Sequence, residues 1–389
     1  MITLLLIWLA AQALSAVMVW LFTIGLGRRE RLDGKPQVAV MVAVKGHEHE
    51  FDGFLAALLA QDYPAYRVIF TVEAAGDAAI PAIETYRARY PDRLSLVIAG
   101  RGHDEGQKST NLRAAAAQLT PTDDIIVLAD ADIWPEPDWL TRLVAPLLRR
   151  EGDVVSGFSW LIVKDQRLSS FVLASMAASV ATLPRYSFFN ACWGGSTALT
   201  QERFKALGFP DAWRGTLSDD LQLTNAVQRA GLTIAAPREI LLRTPLLTKG
   251  FADIAAGARR WYMLVRVHMP QAYAITVAAM TFMAAGWIVA LIGALVGNVD
   301  AEDILVAALA LSIFRSAGRA TLVARLWGSS GIAENRAFLL ADPFVTPLAT
   351  CANAAFGWSA LTMRRTTWAG ITYEMRGPKV VKIIARPGS

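Results

Sequence analysis

The stretch Ile125-Ile126-Val127-Leu128-Ala129-Asp130-Ala131-Asp132 decides the fold class. Five apolar residues, β-branched at their start, make a short buried strand. Two carboxylates one residue apart at its exit are costly to bury alone. They fit as oxygen ligands of a hard divalent cation, Mg²⁺ or Mn²⁺, which can also hold phosphates. An Asx cluster capping the helix after Trp134-Pro135-Glu136-Pro137 accounts for the same pair equally well, so the flanking sequence has to choose.

Upstream, strand and helix patterns alternate. Apolar runs at 38–44, 67–72 and 95–99 are expected strands, and 54–59, 81–90 and 112–119 are expected helices. Repeated β-α units imply an α/β domain with a mostly parallel, Rossmann-like sheet that binds ligands at the strands' C-terminal ends. Glu73, Asp77, Asp130 and Asp132 all fall at or near such ends. A Gly-x-Gly-x-x-Gly fingerprint is absent, so a dinucleotide cofactor is not supported.

Three further stretches carry chemistry. In Gly106-Gln107-Lys108-Ser109-Thr110-Asn111, a lysine at a helix start can neutralise phosphate beside backbone amides; a solvated loop lysine is the plainer alternative. Trp193-Gly194-Gly195-Ser196 is a turn that lets backbone approach a substrate, or an ordinary tight turn. Ser218-Asp219-Asp220 leads into a helix over 221–229, so one Asp is expected to cap it while the other is a candidate general base. Arg259-Arg260-Trp261 lies in an amphipathic stretch where interfacial anchoring is the simplest account.

The chain of 389 residues is 54% hydrophobic with a mean hydropathy of +0.36, too apolar for an ordinary soluble enzyme. A net charge of +5 without a dense basic stripe gives no sign of nucleic-acid binding. Cys192 and Cys351 alone build neither a disulfide framework nor a zinc site. Residues 2–26 carry no charge and are long enough to cross the ~30 Å hydrocarbon core. An uncleaved anchor over 1–27 is therefore expected, with Arg28, Arg29 and Arg31 holding its end in the cytoplasm. Residues 36–266 then form a cytoplasmic catalytic domain, 267–362 interfacial and membrane segments, and 363–389 a cytoplasmic basic tail. Spans are expected over 273–296 and 304–327, the second carrying Arg315, Arg319 and Arg325. Asp342-Pro343 and Pro347 interrupt 337–361, which reads as a re-entrant or interfacial hairpin that leaves the basic tail inside.

In this order the residues resemble the GT-A glycosyltransferases of family 2 and their relatives, most of all the ceramide glucosyltransferase group and its bacterial lipid-glycosylating relatives. Gln61-Asp62-Tyr63-Pro64 resembles the family's Q-D-Y-P stretch, and Lys108 with Asn111 its K-x-x-N element. Asp130 and Asp132 resemble its metal-binding D-x-D, and Gly194, Gly195 and Ser196 its acceptor-side G-x-S turn. Asp219-Asp220 resembles the acidic pair whose second member is the base. Arg260 and Trp261 match the end of [Q/R]-x-x-R-W, while Trp368 and Tyr373 are similar to a W-x-G-x-x-Y stretch after the membrane helices. Two positions depart from the pattern: Gly257 replaces the leading Gln or Arg, and the acidic pair is Asp-Asp rather than Glu-Asp.

The resemblance implies an inverting transfer from a UDP-sugar. Glu73, Asp77, Lys108, Asn111 and Asp130 would bind the nucleotide-sugar. Asp132, with Asp130, would hold Mg²⁺ or Mn²⁺ on the diphosphate. Asp220 would be the base, with Arg260 and Trp261 contributing to catalysis and acceptor packing. The apolar segment 168–183 is short for a span and reads as an interfacial or a core helix. Beside the Arg260-Trp261 stretch it would guide a lipid hydroxyl, of ceramide, diacylglycerol or a hopanoid, out of the bilayer of the inner (plasma) membrane. A polysaccharide synthase is the runner-up, weakened by the few spans and by Gly257; an inactive scaffold is the third reading.

Overall fold

Every residue of the strand Ile125–Ala129 is buried, and it forms the centre of a seven-stranded sheet. A computed structural model describes residues 2–27, 32, 34–47, 50–186 and 190–386. The basic cluster Arg28, Arg29 and Arg31 lies outside the described residues. The chain opens with helix α1 (Ile2–Ile24), then β1 (Val38–Ala43), α2 (Phe51–Leu59), β2 (Tyr66–Val72), α3 (Ile80–Arg89), β3 (Leu94–Ile98), α4 (Gln107–Ala116) and β4 (Ile125–Ala129). It continues through α5 (Trp139–Leu148), β5 (Val154–Ser156), β6 (Phe158–Val163), α6 (Leu168–Ala181), β7 (Ser196–Thr200), α7 (Gln201–Ala206) and α8 (Asp219–Arg229). Then follow β8 (Ile234–Ala235), β9 (Leu241–Leu246), α9 (Phe251–His268), α10 (Pro270–Leu295), α11 (Val299–Ser359), β10 (Arg365–Trp368), β11 (Ile371–Gly377) and β12 (Val380–Ala385).

The main sheet runs β3-β2-β1-β4-β7-β5-β8, with β7 antiparallel to both of its neighbours. Side chains alternate across it with the strand period of two. Val38, Val40, Val42, Ile125 and Val127 join one core with Phe54, Leu58, Leu140 and Leu143 of α2 and α5. Ala39, Met41, Ile126 and Leu128 join another with Leu112, Phe204, Leu223 and Val227 of α4, α7 and α8. Covered on both faces, these strands are continuous apolar runs. The fold is the GT-A type: α/β, mostly parallel, with apolar helices at both ends of the chain.

Among the described residues, three helices are long and apolar enough to cross a membrane: α1, α10 and α11. Leu5 and Trp8 of α1 pack with Trp287 and Ala290 of α10 and with Ile304 and Ala308 of α11. α11 is two helical runs, 299–327 and 329–359, meeting at Gly328, whose φ of 66° breaks the helix. The second run corrects the expected hairpin, because it passes through Pro343 and Pro347 as one helix. Pro343 has no N–H for the Leu339 carbonyl, and Ser316 Oγ donates to that carbonyl instead at 3.0 Å. α6 is buried along most of its length, packed by β6, α9 and the second run of α11, so of the two readings of that segment the core helix is the one observed.

Candidate active site

Two helix N-termini converge beside the end of β4. α4 starts at Gln107 and α8 at Asp219. They are tied together by Gly106 N–H donating to Thr216 O at 2.9 Å, and by Gly215 N–H donating to Glu105 Oε2 at 3.1 Å. Each presents the positive end of its dipole to the same space. The register of β4 with β7 pairs Ala129 with Ser196, so Asp130 and the Gly194-Gly195 turn leave the sheet side by side.

Lys108 is the hub. Its Nζ lies 2.6 Å from Asp130 Oδ1 and 3.2 Å from Asp219 Oδ1. Burial alone would lower its pKa, but Asp130, Asp219 and Asp220 outweigh burial and the net shift is upward, which keeps the ammonium charged. Asp219 is buried, with Oδ2 lacking a hydrogen-bond partner. Burial, reinforced by Asp220 and Asp130 and opposed by Lys108, raises its pKa to about 7. Gly194 leaves room for this cluster, since a side chain there would push on the Lys108–Asp219 ion pair. A Cβ there would stand 2.6 Å from Lys108 Nζ and 2.9 Å from Asp219 Oδ2.

Asp220 sits at the rim. Ser218 is the N-cap of α8, accepting from Leu221 N–H. Asp220 Oδ1 accepts from Ser218 Oγ at 2.5 Å and from Leu221 N–H at 2.7 Å. Among the described residues, its Oδ2 has only a long contact of 3.4 Å from Gly194 N–H. One oxygen is thus fixed and the other is held loosely, an arrangement suited to receiving a proton. His268 closes the site from α9. Its ring is buried with neither nitrogen hydrogen-bonded, and its pKa is pushed down to about 4 by burial, against the opposing pull of Asp220. Sequence reasoning missed it, because a lone His at the end of an amphipathic helix carries no motif.

A second cluster lies at the end of β2. Glu73 pairs with Lys45 at 3.2 Å, with Arg101 at 3.8 Å and with Arg386. Asp77 Oδ1 accepts from Gly46 N–H and Ala79 N–H, both at 2.9 Å, and so braces the exits of β1 and β2. Asn111 is buried beneath, donating to Thr71 O and accepting from Gln107 Nε2. Ser196 is buried in β7, where its Oγ accepts from Trp139 Nε1 at 2.9 Å. Arg260 does not reach into the acidic cluster as its motif suggested; its guanidinium lies over the Trp368 ring, 5.1 Å from the centroid. Trp261 is 46% exposed. At the departure from the motif, a Cβ on Gly257 would meet open space.

Among the described residues, no three His, Cys, Asp or Glu side chains form a ready metal cage. Asp130 and Asp132 still fit a divalent cation, because Mg²⁺ is typically held by one or two carboxylates together with a substrate's phosphates. Asp130 is half-buried and Asp132 exposed, and both offer hard oxygen donors.

A family model described as glycosyl transferase family 21 matches residues 3–380. The chain belongs to that family. A ceramide glucosyltransferase of Komagataella phaffii is 25% identical over 159 residues, which are 39% of this chain and 31% of that protein. The match therefore spans about a third of the relative's length. Among solved structures, the Pyrobaculum calidifontis mannosyltransferase PcManGT, in complex with GDP-Man and Mn²⁺, aligns with a TM-score of 0.52 at 19% identity. The alignment covers 84% of this chain and 99% of that one, a likeness of fold. The protein is a glycosyltransferase of the ceramide glucosyltransferase-like group.

Proposed function

We propose that this glycosyltransferase is a membrane-bound inverting enzyme that moves a sugar from a UDP-sugar to the hydroxyl of a membrane lipid such as ceramide, a diacylglycerol or a hopanoid. One observation carries the lipid reading. The base candidate Asp220 opens α8, and Asn225 of the same helix donates to His268 O at 3.1 Å, with membrane helix α10 starting at Pro270. An acceptor reaching Asp220 from that side comes out of the bilayer. Exposed Trp261, on the half of α9 nearer His268, supplies apolar surface for its chains. The partial match to a ceramide glucosyltransferase supports the same class.

In this reading Glu73 and its cations receive the nucleotide end of the donor. The diphosphate lies over the convergent N-termini of α4 and α8, whose amides favour anions. Asp130 and Asp132 would hold Mg²⁺ or Mn²⁺, which offsets negative charge building on the departing diphosphate; the archaeal mannosyltransferase was solved with Mn²⁺. Asp220 Oδ2 takes the acceptor proton as the lipid oxygen attacks the anomeric carbon from the face opposite the diphosphate, giving inversion. Lys108 keeps Asp130 and Asp219 from repelling the donor.

The test is product analysis. Membranes containing the protein are given labelled UDP-sugars, a divalent cation and candidate lipids, and products are separated by chromatography and mass spectrometry. The expected result is a labelled glycolipid that falls by ~10²–10⁴ with Asp220→Asn. A butanol-insoluble polymer in its place would point to a polysaccharide synthase.

A further inference from the structure

The C-terminal sheet β10-β11-β12 reaches back from the last membrane helix to the end of β2. Its core residues Ile371, Tyr373, Met375 and Val381 pack against Leu217, Met263 and Leu264, next to the α8 N-terminus. The approach is close: a Cβ on Gly215 would stand 2.8 Å from Lys379 O. From this seat two side chains enter the donor side. Tyr373 OH accepts the Gln107 N–H at the start of α4, at 3.2 Å. Arg386, just past β12, pairs with Glu73 and donates from Nη2 to Gly102 O at 2.6 Å and to Gln107 Oε1 at 3.1 Å.

Gln107 spreads this grip through the loop. Its Oε1 accepts Gly102 N–H at 3.0 Å, and its Nε2 donates to Gly100 O at 2.8 Å and to Asn111 Oδ1 at 2.9 Å. One guanidinium thus fixes Glu73 and the 100–107 loop at once. The charge count has a sign as well. Lys45, Arg101 and Arg386 surround the single carboxylate of Glu73, so the cluster keeps a positive surplus. A surplus of cations at the C-terminal end of a parallel strand suits an anionic ligand.

We propose that the C-terminal sheet completes the donor pocket, and that Arg386 is a positioning residue that holds Glu73 and the 100–107 loop in the geometry that binds a nucleoside diphosphate. The inference rests on the donor reading above and adds a partner to it from the far end of the chain. A removable plug is the opposite sense of the same contact. The apolar seat of the sheet and the several bonds of Arg386 to the loop favour the holding role.

The experiment measures binding of UDP, GDP, CDP and ADP with Mg²⁺ to the purified full-length protein by calorimetry, with no acceptor present. The variants are Arg386→Ala, Arg386→Lys and, as a control on the outer face of the sheet, Arg376→Ala; each is also melted. Arg386→Ala is expected to weaken the preferred nucleotide at least ~10-fold with little change in melting temperature, about 1.4 kcal/mol of binding. Arg386→Lys recovers part of the loss, because an ammonium reaches Glu73 but lacks the fork that also holds the loop. Arg376→Ala leaves binding unchanged. Unchanged binding in Arg386→Ala overturns the inference, and tighter binding overturns it in favour of an inhibitory plug. A wild-type protein that binds none of the four nucleotides overturns the donor reading itself.

Discussion

At the scale of single residues, the site is organised by what burial does to charge. Lys108 stays protonated because carboxylates surround it, whereas His268 stays neutral because its ring is buried. The second effect is measurable. The unfolded chain protonates this imidazole near 6.5 and the folded chain only near 4. Its contribution to stability is therefore complete above 6.5 and is lost as the pH falls through that window. Melting temperature in detergent is expected to drop more for wild type than for His268→Leu between about pH 7.5 and about pH 5. Equal drops would mean that His268 is charged or hydrated in the folded protein. The difference between the two proteins matters because Asp219, its pKa raised, opposes the trend in both. The sequence made the acidic cluster legible because Asp130, Asp219 and Asp220 each follow or begin an element with a clear pattern. It left Arg386 and His268 unread, since their partners lie far away in the chain and no spacing reports them.

At the scale of elements, the parallel strands were legible because strands covered on both faces are unbroken apolar runs. The start of α4 was legible in Gly106 to Asn111, although its apolar pattern shows only from Leu112, as its first turn is polar and its buried side chains include Gln107, Ser109 and Asn111. The C-terminal sheet was read as a basic tail carrying a W-x-G-x-x-Y stretch and not as strands, since exposed Lys379 and Lys382 interrupt its apolar positions. The second run of α11 was misread because prolines signal a break and the carbonyl partner Ser316 is distant in sequence. That run is anchored by charge. Arg319 Nη1 lies 2.7 and 2.8 Å from the two oxygens of Asp342, with both side chains almost fully buried. Ser175 donates to Asp342 at 2.8 Å, and Arg319 Nη2 donates to Ser179 at 2.9 Å, so the pair clamps both runs of α11 onto α6. Removing one partner strands a buried charge and is expected to cost about 3–5 kcal/mol, whereas replacing both with apolar residues restores most of it. Denaturant unfolding of Arg319→Leu, Asp342→Leu and the double variant checks this. Two additive losses would mean that the side chains do not act as a pair.

At the scale of the whole molecule, the contacts of α11 lead to a testable expectation of how the chain meets a bilayer. Early in the second run, Asn335 accepts from Trp160 Nε1 at 3.0 Å, and Glu334 pairs with Lys164 at 2.9 Å; both partners lie on or beside β6 of the catalytic domain. At its far end, Gly357 O accepts from Tyr273 OH at 2.8 Å, at the start of α10, next to α9. Both ends of the run therefore lie on the side of the catalytic domain, and the run is expected to follow a membrane surface instead of crossing it. Crossings by α1, α10 and the 299–327 run are then the expected arrangement among the described residues, and it returns the C-terminal sheet to the side of Glu73. Single cysteines placed at Lys379 and at Asp300, in a chain freed of Cys192 and Cys351, are expected to label from opposite sides with a membrane-impermeant maleimide. The Lys379 position shares its side with the catalytic domain. Labelling of both positions from one side would remove a crossing and detach the tail from the donor pocket, since the contact between Arg386 and Glu73 forms only if the C-terminal sheet and the catalytic domain lie in one compartment.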